Sequence, residues 1–115
     1  MVEYQWGIFW ADLNPARGSE QKGNRPILVV SAEEVNQALP IAAVLPLTSV
    51  KSGRKIYPTE ALLPAAETGL PKDSIAMAHQ IRAVSRERLG EKCGQIAAGE
   101  LREKIKTALK KYLDF

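Results

Sequence analysis

Two apolar runs flank one polar loop in the first third of the chain. They read Trp6-Gly7-Ile8-Phe9-Trp10-Ala11-Asp12-Leu13-Asn14-Pro15, then Gly18-Ser19-Glu20-Gln21-Lys22-Gly23-Asn24-Arg25-Pro26, then Ile27-Leu28-Val29-Val30-Ser31. The outer runs predict strands over residues 7–13 and 26–31. Ile27 to Val30 is apolar without a break, the pattern of a strand buried on both faces. The loop between the strands holds two glycines, a carboxylate, two carboxamides and two cations. Such loops, fixed by buried strands, are where binding and catalytic groups concentrate.

Outward from this unit, Ser31 is a candidate N-cap for a short helix over residues 32–39, which Pro40 stops. Residues 41–48 predict a third strand, and Pro46, lacking an N–H, sets that end at a sheet edge or a bulge. A basic, mobile loop is expected at 50–55. Further strands are expected at 56–63 and 74–81, separated by a stretch containing Gly69 and Pro71. Residues 85–89 read as one helical turn capped by Ser85, and 91–96 as a last short strand. From Gly99 to Leu113 the residues Leu101, Ile105, Ala108, Leu109, Tyr112 and Leu113 form one apolar stripe, with lysines and an arginine around the rest. Short strands first and one good helix last predict a mainly β chain with α, in the α+β class. The strands are expected to close on themselves as a small β-barrel with a C-terminal amphipathic helix.

At 115 residues, 45% apolar and 25% charged, the chain suits a single domain spanning 1–115 with a real core. No apolar run approaches the ~18 residues of a membrane span, and the first residues lack a signal-peptide layout. Cys93 is the only cysteine, so no internal disulfide forms and the cytosol is the expected compartment. Charge is uneven. Residues 1–50 carry three Lys/Arg against five Asp/Glu, and residues 51–115 carry thirteen against eight, a balance of −2 and then +5. The asymmetry suits an anionic partner such as a nucleic acid, and equally a solvated basic surface.

Arg25 enters a buried strand from the loop, so its guanidinium is expected at a rim. There it serves either as a fixed phosphate ligand or as a structural clamp on carbonyls. Thr48, at the end of the third strand, offers a hydroxyl to a phosphate oxygen or to its own backbone. Glu20 and Gln21 carry the groups that read edges of unpaired bases, while Lys22 attracts phosphate. Trp6, Phe9 and Trp10 are stacking candidates or core. Histidine is the side chain that titrates near neutrality, and the chain has one, His79. Strand alternation sets it on the apolar face of Ile75, Met77 and Ile81, with Gln80 and Arg82 opposite, so it reads as a packed residue or as a base. One His and one Cys without a carboxylate cluster point to no metal site.

The pattern Gly-Ser-Glu-Gln-x-Gly, taken with Pro46-Leu47-Thr48-Ser49 and His79-Gln80-Ile81-Arg82, resembles the MazF/PemK family of toxin endoribonucleases. The resemblance runs from about Trp6 to the C-terminus. It implies an SH3-like barrel of the MazF/PemK/CcdB type. It also implies cleavage of single-stranded RNA, mRNA included, by attack of the 2′-hydroxyl without metal or other cofactor. Arg25 matches the principal catalytic residue and Thr48 the second; Ser19, Glu20, Gln21, Lys22 and Gln80 match RNA-binding positions. Some PemK-type toxins carry an acidic residue where His79 stands, proposed as the base, which makes His79 the proton-transfer candidate here. The family further implies a cytoplasmic homodimer and a cognate antitoxin whose acidic extended tail fills the groove. CcdB toxins share the fold and bind DNA gyrase instead, and a catalytically inactive RNA- or antitoxin-binding module is the other alternative. Arg25 and Thr48 argue against the gyrase reading.

Overall fold

In the computed structural model, which describes residues 2–115, the two apolar runs pair with each other. Strand β1 (Gly7–Asp12) lies antiparallel to β2 (Asn24–Val29), with Ile8 opposite Leu28, Trp10 opposite Pro26 and Ala11 opposite Arg25. Strand β3 (Ile41–Ser49) pairs with the other edge of β2, Ile27 to Pro46 and Val29 to Val44. The remaining strands are β4 (Glu60–Leu63), β5 (Ser74–Met77), β6 (Arg82–Ser85) and β7 (Leu89–Gln95). Helices α1 (Glu33–Ala38), α2 (Ala65–Thr68) and α3 (Gly99–Leu113) complete the chain. The α+β class is as expected, with seven antiparallel strands in the order β4-β5-β3-β2-β1-β7 and β6 beside β3.

The expected closed barrel is not what forms. β4 and β7 stand at opposite ends of the pairing order, so the sheet stays open. It wraps two cores instead. Ile8, Leu28, Leu45 and Leu47 face one core, with Leu101, Ile105 and Ala108 of α3. Phe9, Ile27, Val29 and Val44 face the other, with Leu13 and Val84. This alternation along β1, β2 and β3 buries both faces of the central strands, as the unbroken run at Ile27 predicts. The helix stripe is covered only in part: Leu101, Ile105 and Ala108 are buried, while Tyr112 and Leu113 are exposed.

Three local expectations change. The strand predicted over 74–81 breaks after Met77 into a 3-10 turn, Ala78–Gln80, before β6 begins. β5 pairs with Leu47–Ser49 and β6 with Ile41–Val44, both on the same edge of β3. The turn is an excursion between these two partners. Pro46 lies opposite it, so a residue with no N–H to offer sits where the ladder is interrupted. The strand predicted over 56–63 forms only from Glu60, because Tyr57 N–H is drawn back to the Glu60 carboxylate at 3.0 Å. Ser31 does not cap α1. Its hydroxyl bonds Asn36 Oδ1 and accepts from Ala43 N at 3.0 Å, fastening α1 to β3. Ser85 caps its turn as expected, accepting from Glu87 N.

The α2–β5 connection seats directly on β7. A Cβ on Gly94 would lie 2.6 Å from the Thr68 carbonyl oxygen and 3.2 Å from Ile8 Cδ1. Backbone cannot yield as a flexible side chain would, so Gly94→Ala is expected to destabilise the chain by about 1–3 kcal/mol. Urea denaturation of the two proteins measures this, and an unchanged midpoint would show that the connection slides freely.

Candidate active site

Arg25 is the second residue of β2, where the loop becomes ladder. Its Nε donates to Lys22 O at 3.1 Å and its Nη1 to Leu47 O at 3.3 Å. These two bonds orient the half-buried guanidinium and leave its other N–H groups for an anion. The β2–β3 ladder pairs Ile27 with Pro46. The pairing ends there, and Arg25 and Thr48 lie two residues beyond it on their strands. Both line a groove of about 440 Å³ between the ends of β2 and β3, strand β7 and the α2–β5 connection. Ser49, which regular alternation would turn away, lines it too.

The loop from Leu13 to Gly23 is held from a distance. Gln80 uses both ends of its carboxamide on it: Nε2 donates to Ser19 O at 3.0 Å and Oε1 accepts from Gln21 N at 3.3 Å. Arg82 donates to Leu13 O at 3.2 Å and Arg88 to Asp12 O at 3.4 Å. Gly18 and Gly23 have φ of +56° and +82°, the left-handed region that lets the loop turn on itself. Glu20 accepts from Arg17 N within the loop. The side chains of Ser19, Glu20 and Lys22 remain exposed, and Gln21 is half-buried.

His79 is not brought to this groove. It stands in the 3-10 turn, with Nδ1 3.0 Å from Thr59 Oγ1 and its ring edge-on to Tyr112 of α3, centroids 6.5 Å apart. Gln80 and Arg82 do face away from it, as expected, though a turn rather than strand alternation separates them. The basic loop after β3 is tethered. Arg54 makes a two-pronged ion pair with Glu60, at 2.7 and 3.1 Å, and stacks with Lys55 about the Tyr57 ring.

Sequence reasoning missed Lys72, Cys93 and Asn24, which also line the groove. Nothing local marks Lys72 or Cys93, because each reaches the site through a distant segment. By sequence alone Trp10 suits either a stacking face or the core. It is 41% exposed and lines the groove, whereas Trp6 and Phe9 are buried.

A family model described as "PemK-like, MazF-like toxin of type II toxin-antitoxin system" matches residues 4–113. The chain belongs to this family. Among its relatives is Endoribonuclease MazF9 of Mycobacterium tuberculosis, 41% identical over 112 residues, covering 93% of this chain and 92% of that protein. Endoribonuclease EndoA of Bacillus subtilis is 33% identical over 109 residues, covering 95% and 92%. MazF from Deinococcus radiodurans superposes with a TM-score of 0.81 at 27% identity, covering 100% of this chain and 99% of that one. A mycobacterial endoribonuclease solved in complex with its cognate antitoxin superposes at 0.80 and 22% identity, covering 99% and 97%. The fold is therefore that of MazF-like toxins.

In this MazF-like chain, two carboxylates make the tethers sensitive to acid. Burial disfavours the charge of Glu60, but Arg54, the Tyr57 N–H and His79 together hold its carboxyl below the usual range. Glu33 is held low in the same way, against its desolvation, by Gln5, Gln37, Tyr4 and Asn36. A folded pKa below the unfolded one gives stability that is complete above the ordinary carboxyl value and lost as pH falls through the folded one. Thermal melts are expected to drop below about pH 5, with a shallower fall in Glu60→Gln; parallel profiles would deny Glu60 that role. Gln80→Ala is expected to raise amide exchange at residues 19–21 without changing exchange in β1.

Proposed function

We propose that this chain is an endoribonuclease that cuts single-stranded RNA, mRNA included, at a preferred short sequence, as the toxin of a type II toxin–antitoxin pair. The observation that carries this reading is that Arg25 and Thr48 line one groove, in a member of this toxin family. The names of its relatives support it: two are endoribonucleases at 41% and 33% identity.

The chemistry follows from what the groove offers. The 2′-hydroxyl oxygen attacks the adjacent phosphorus, the bond to the 5′-oxygen breaks, and the products are a 2′,3′-cyclic phosphate and a 5′-hydroxyl. Negative charge grows on the non-bridging oxygens in the transition state, and a fixed guanidinium beside them lowers its energy. Arg25 supplies that charge, and the Thr48 hydroxyl donates to a phosphate oxygen. The 2′-hydroxyl proton passes by way of water or the phosphate to the departing 5′-oxygen, which leaves as the 5′-hydroxyl.

Ser19, Glu20, Gln21 and Lys22 lie over the RNA, and Gln80 contributes by fixing their backbone. The chain works as a single toxin domain and as a cytoplasmic homodimer. Among the described residues no helix is long and apolar enough to cross a membrane. An antitoxin with an acidic extended tail is the expected protein partner. A mycobacterial relative of the same fold has been solved with its cognate antitoxin, and the net +5 over residues 51–115 suits such a tail.

The test is cleavage of a long unstructured RNA in EDTA, with the new ends mapped. Discrete cuts with cyclic phosphate ends are expected, reduced about 10²–10³-fold in Arg25→Ala and about 5- to 10-fold in Thr48→Ala. His79→Ala, outside the groove, is expected to cut close to the wild-type rate; a loss of about 10²-fold or more would make it a general acid or base. Intact RNA with free wild-type protein would sink the reading and turn attention to gyrase.

A further inference from the structure

The pairing of β1 with β7 slips twice. Ile8 faces Gly94, Phe9 faces Lys92 and Ala11 faces Leu89. The first slip leaves Cys93 without a partner, and the second sets Gly90 and Glu91 against Trp10 alone. Bulges of this kind bend a strand and re-aim its side chains. Both affected positions, Trp10 and Cys93, line the Arg25–Thr48 groove. At the second bulge β7 passes very close to β1: a Cβ on Gly90 would lie 3.1 Å from Trp10 O and 3.7 Å from Trp10 Cβ. A side chain here would press on the Trp10 carbonyl, so the glycine eases the approach of the two strands.

Trp10 is thus a large aromatic left uncovered in the middle of a strand whose neighbours Phe9 and Ala11 are buried. Elsewhere along the groove stands Lys72, exposed on the α2–β5 connection. Arg25 and Lys72 are the charged groups among the lining residues, and both are cations. A flat apolar face with cations nearby matches the repeat of base and phosphate in an unpaired strand. Stacking on an aromatic accepts any base, and a Lys or Arg takes the phosphate.

We propose that Trp10 is the stacking platform for the base next to the scissile phosphate and that Lys72 holds the flanking phosphate. The proposal rests on the endoribonuclease reading and adds a base-binding position outside the Gly18–Gly23 loop. It gives the enzyme a preference by stacking strength at that nucleotide, with purines above pyrimidines.

The experiment uses an RNA carrying the mapped cleavage sequence, made uncleavable by 2′-deoxy substitution at the scissile nucleotide. Wild-type indole emission is expected to change on binding, and Trp10→Phe, which keeps the buried Trp6, is expected to lose that change. Affinity should fall about 5- to 150-fold in Trp10→Leu and Trp10→Ala and be largely kept in Trp10→Phe. Lys72→Ala should lower the salt dependence of binding by about one phosphate contact. An abasic residue at one flanking position should weaken wild type yet weaken Trp10→Ala no further. That coupling separates stacking from misfolding, because the abasic series and the emission change are read on wild type as well.

Equal affinity of Trp10→Leu and wild type would overturn the proposal, as would abasic losses that add to Trp10→Ala at every position. So would a Trp10→Leu variant that keeps RNA binding and loses only an acidic peptide, which would assign this face to a protein partner. A wild-type protein that neither cuts nor binds RNA overturns the endoribonuclease reading itself, an outcome told apart by the cleavage control.

Discussion

Burial of β1, β2 and β3 on both faces constrains everything else in the structure. Their amides and carbonyls have no water to bond, so each must find a ladder partner, and leaving one unpaired costs about 1–3 kcal/mol. Register follows from this. Sliding β2 by one residue would exchange Ile27 and Val29, which face one core, with Leu28, which faces the other. Because the register is held by two cores, the polar ends of the strands come out at fixed places. Arg25 sits opposite Ala11, and it lines one groove with Thr48. The site is an extension of a ladder whose position the cores determine.

The loops around the site are positioned by polar groups borrowed from far along the chain. Gln80 lies 59 residues from Gln21 and 61 from Ser19, yet bonds the backbone of both. Arg82 and Arg88 take the carbonyls at the loop's base. The 3-10 turn that interrupts the β5–β6 edge lets this happen, since it turns Gln80 toward the loop and His79 toward Thr59 and Tyr112. The second loop is fixed locally instead, by Arg54 and the buried carboxylate of Glu60 six residues on. Loop backbone that is bonded in advance loses less freedom when a ligand settles on it.

Much of this was legible in the sequence. The unbroken run at Ile27 marked a doubly buried strand, and the spacing from Leu101 to Ala108 marked the covered face of α3. Ser85 marked its own cap, whereas Pro46, which reads as an edge or bulge, lies inside the sheet opposite Ile27. Readings failed where two local patterns competed. Residues 74–81 alternate well enough to pass for one strand, and only the change of partner on β3 breaks it. Ser31 reads as a helix cap, but its hydroxyl is taken by Asn36 and Ala43 of another element. Barrel closure depends on whether β4 reaches β7, which no local pattern encodes.

The sequence by itself determined the family, the α+β class, the order of the elements and the loop that carries the polar groups. Those follow from hydrophobic periodicity, from residues with fixed backbone habits, and from motif order, all of which act within a few residues. Tertiary structure alone decided that Trp10 faces the groove while Phe9 does not, that Lys72 and Cys93 join it, and that His79 stays away. These depend on bulges, on partner changes and on where one segment lands upon another. The forces involved act between residues distant in the chain, so they become visible only when both partners are in place.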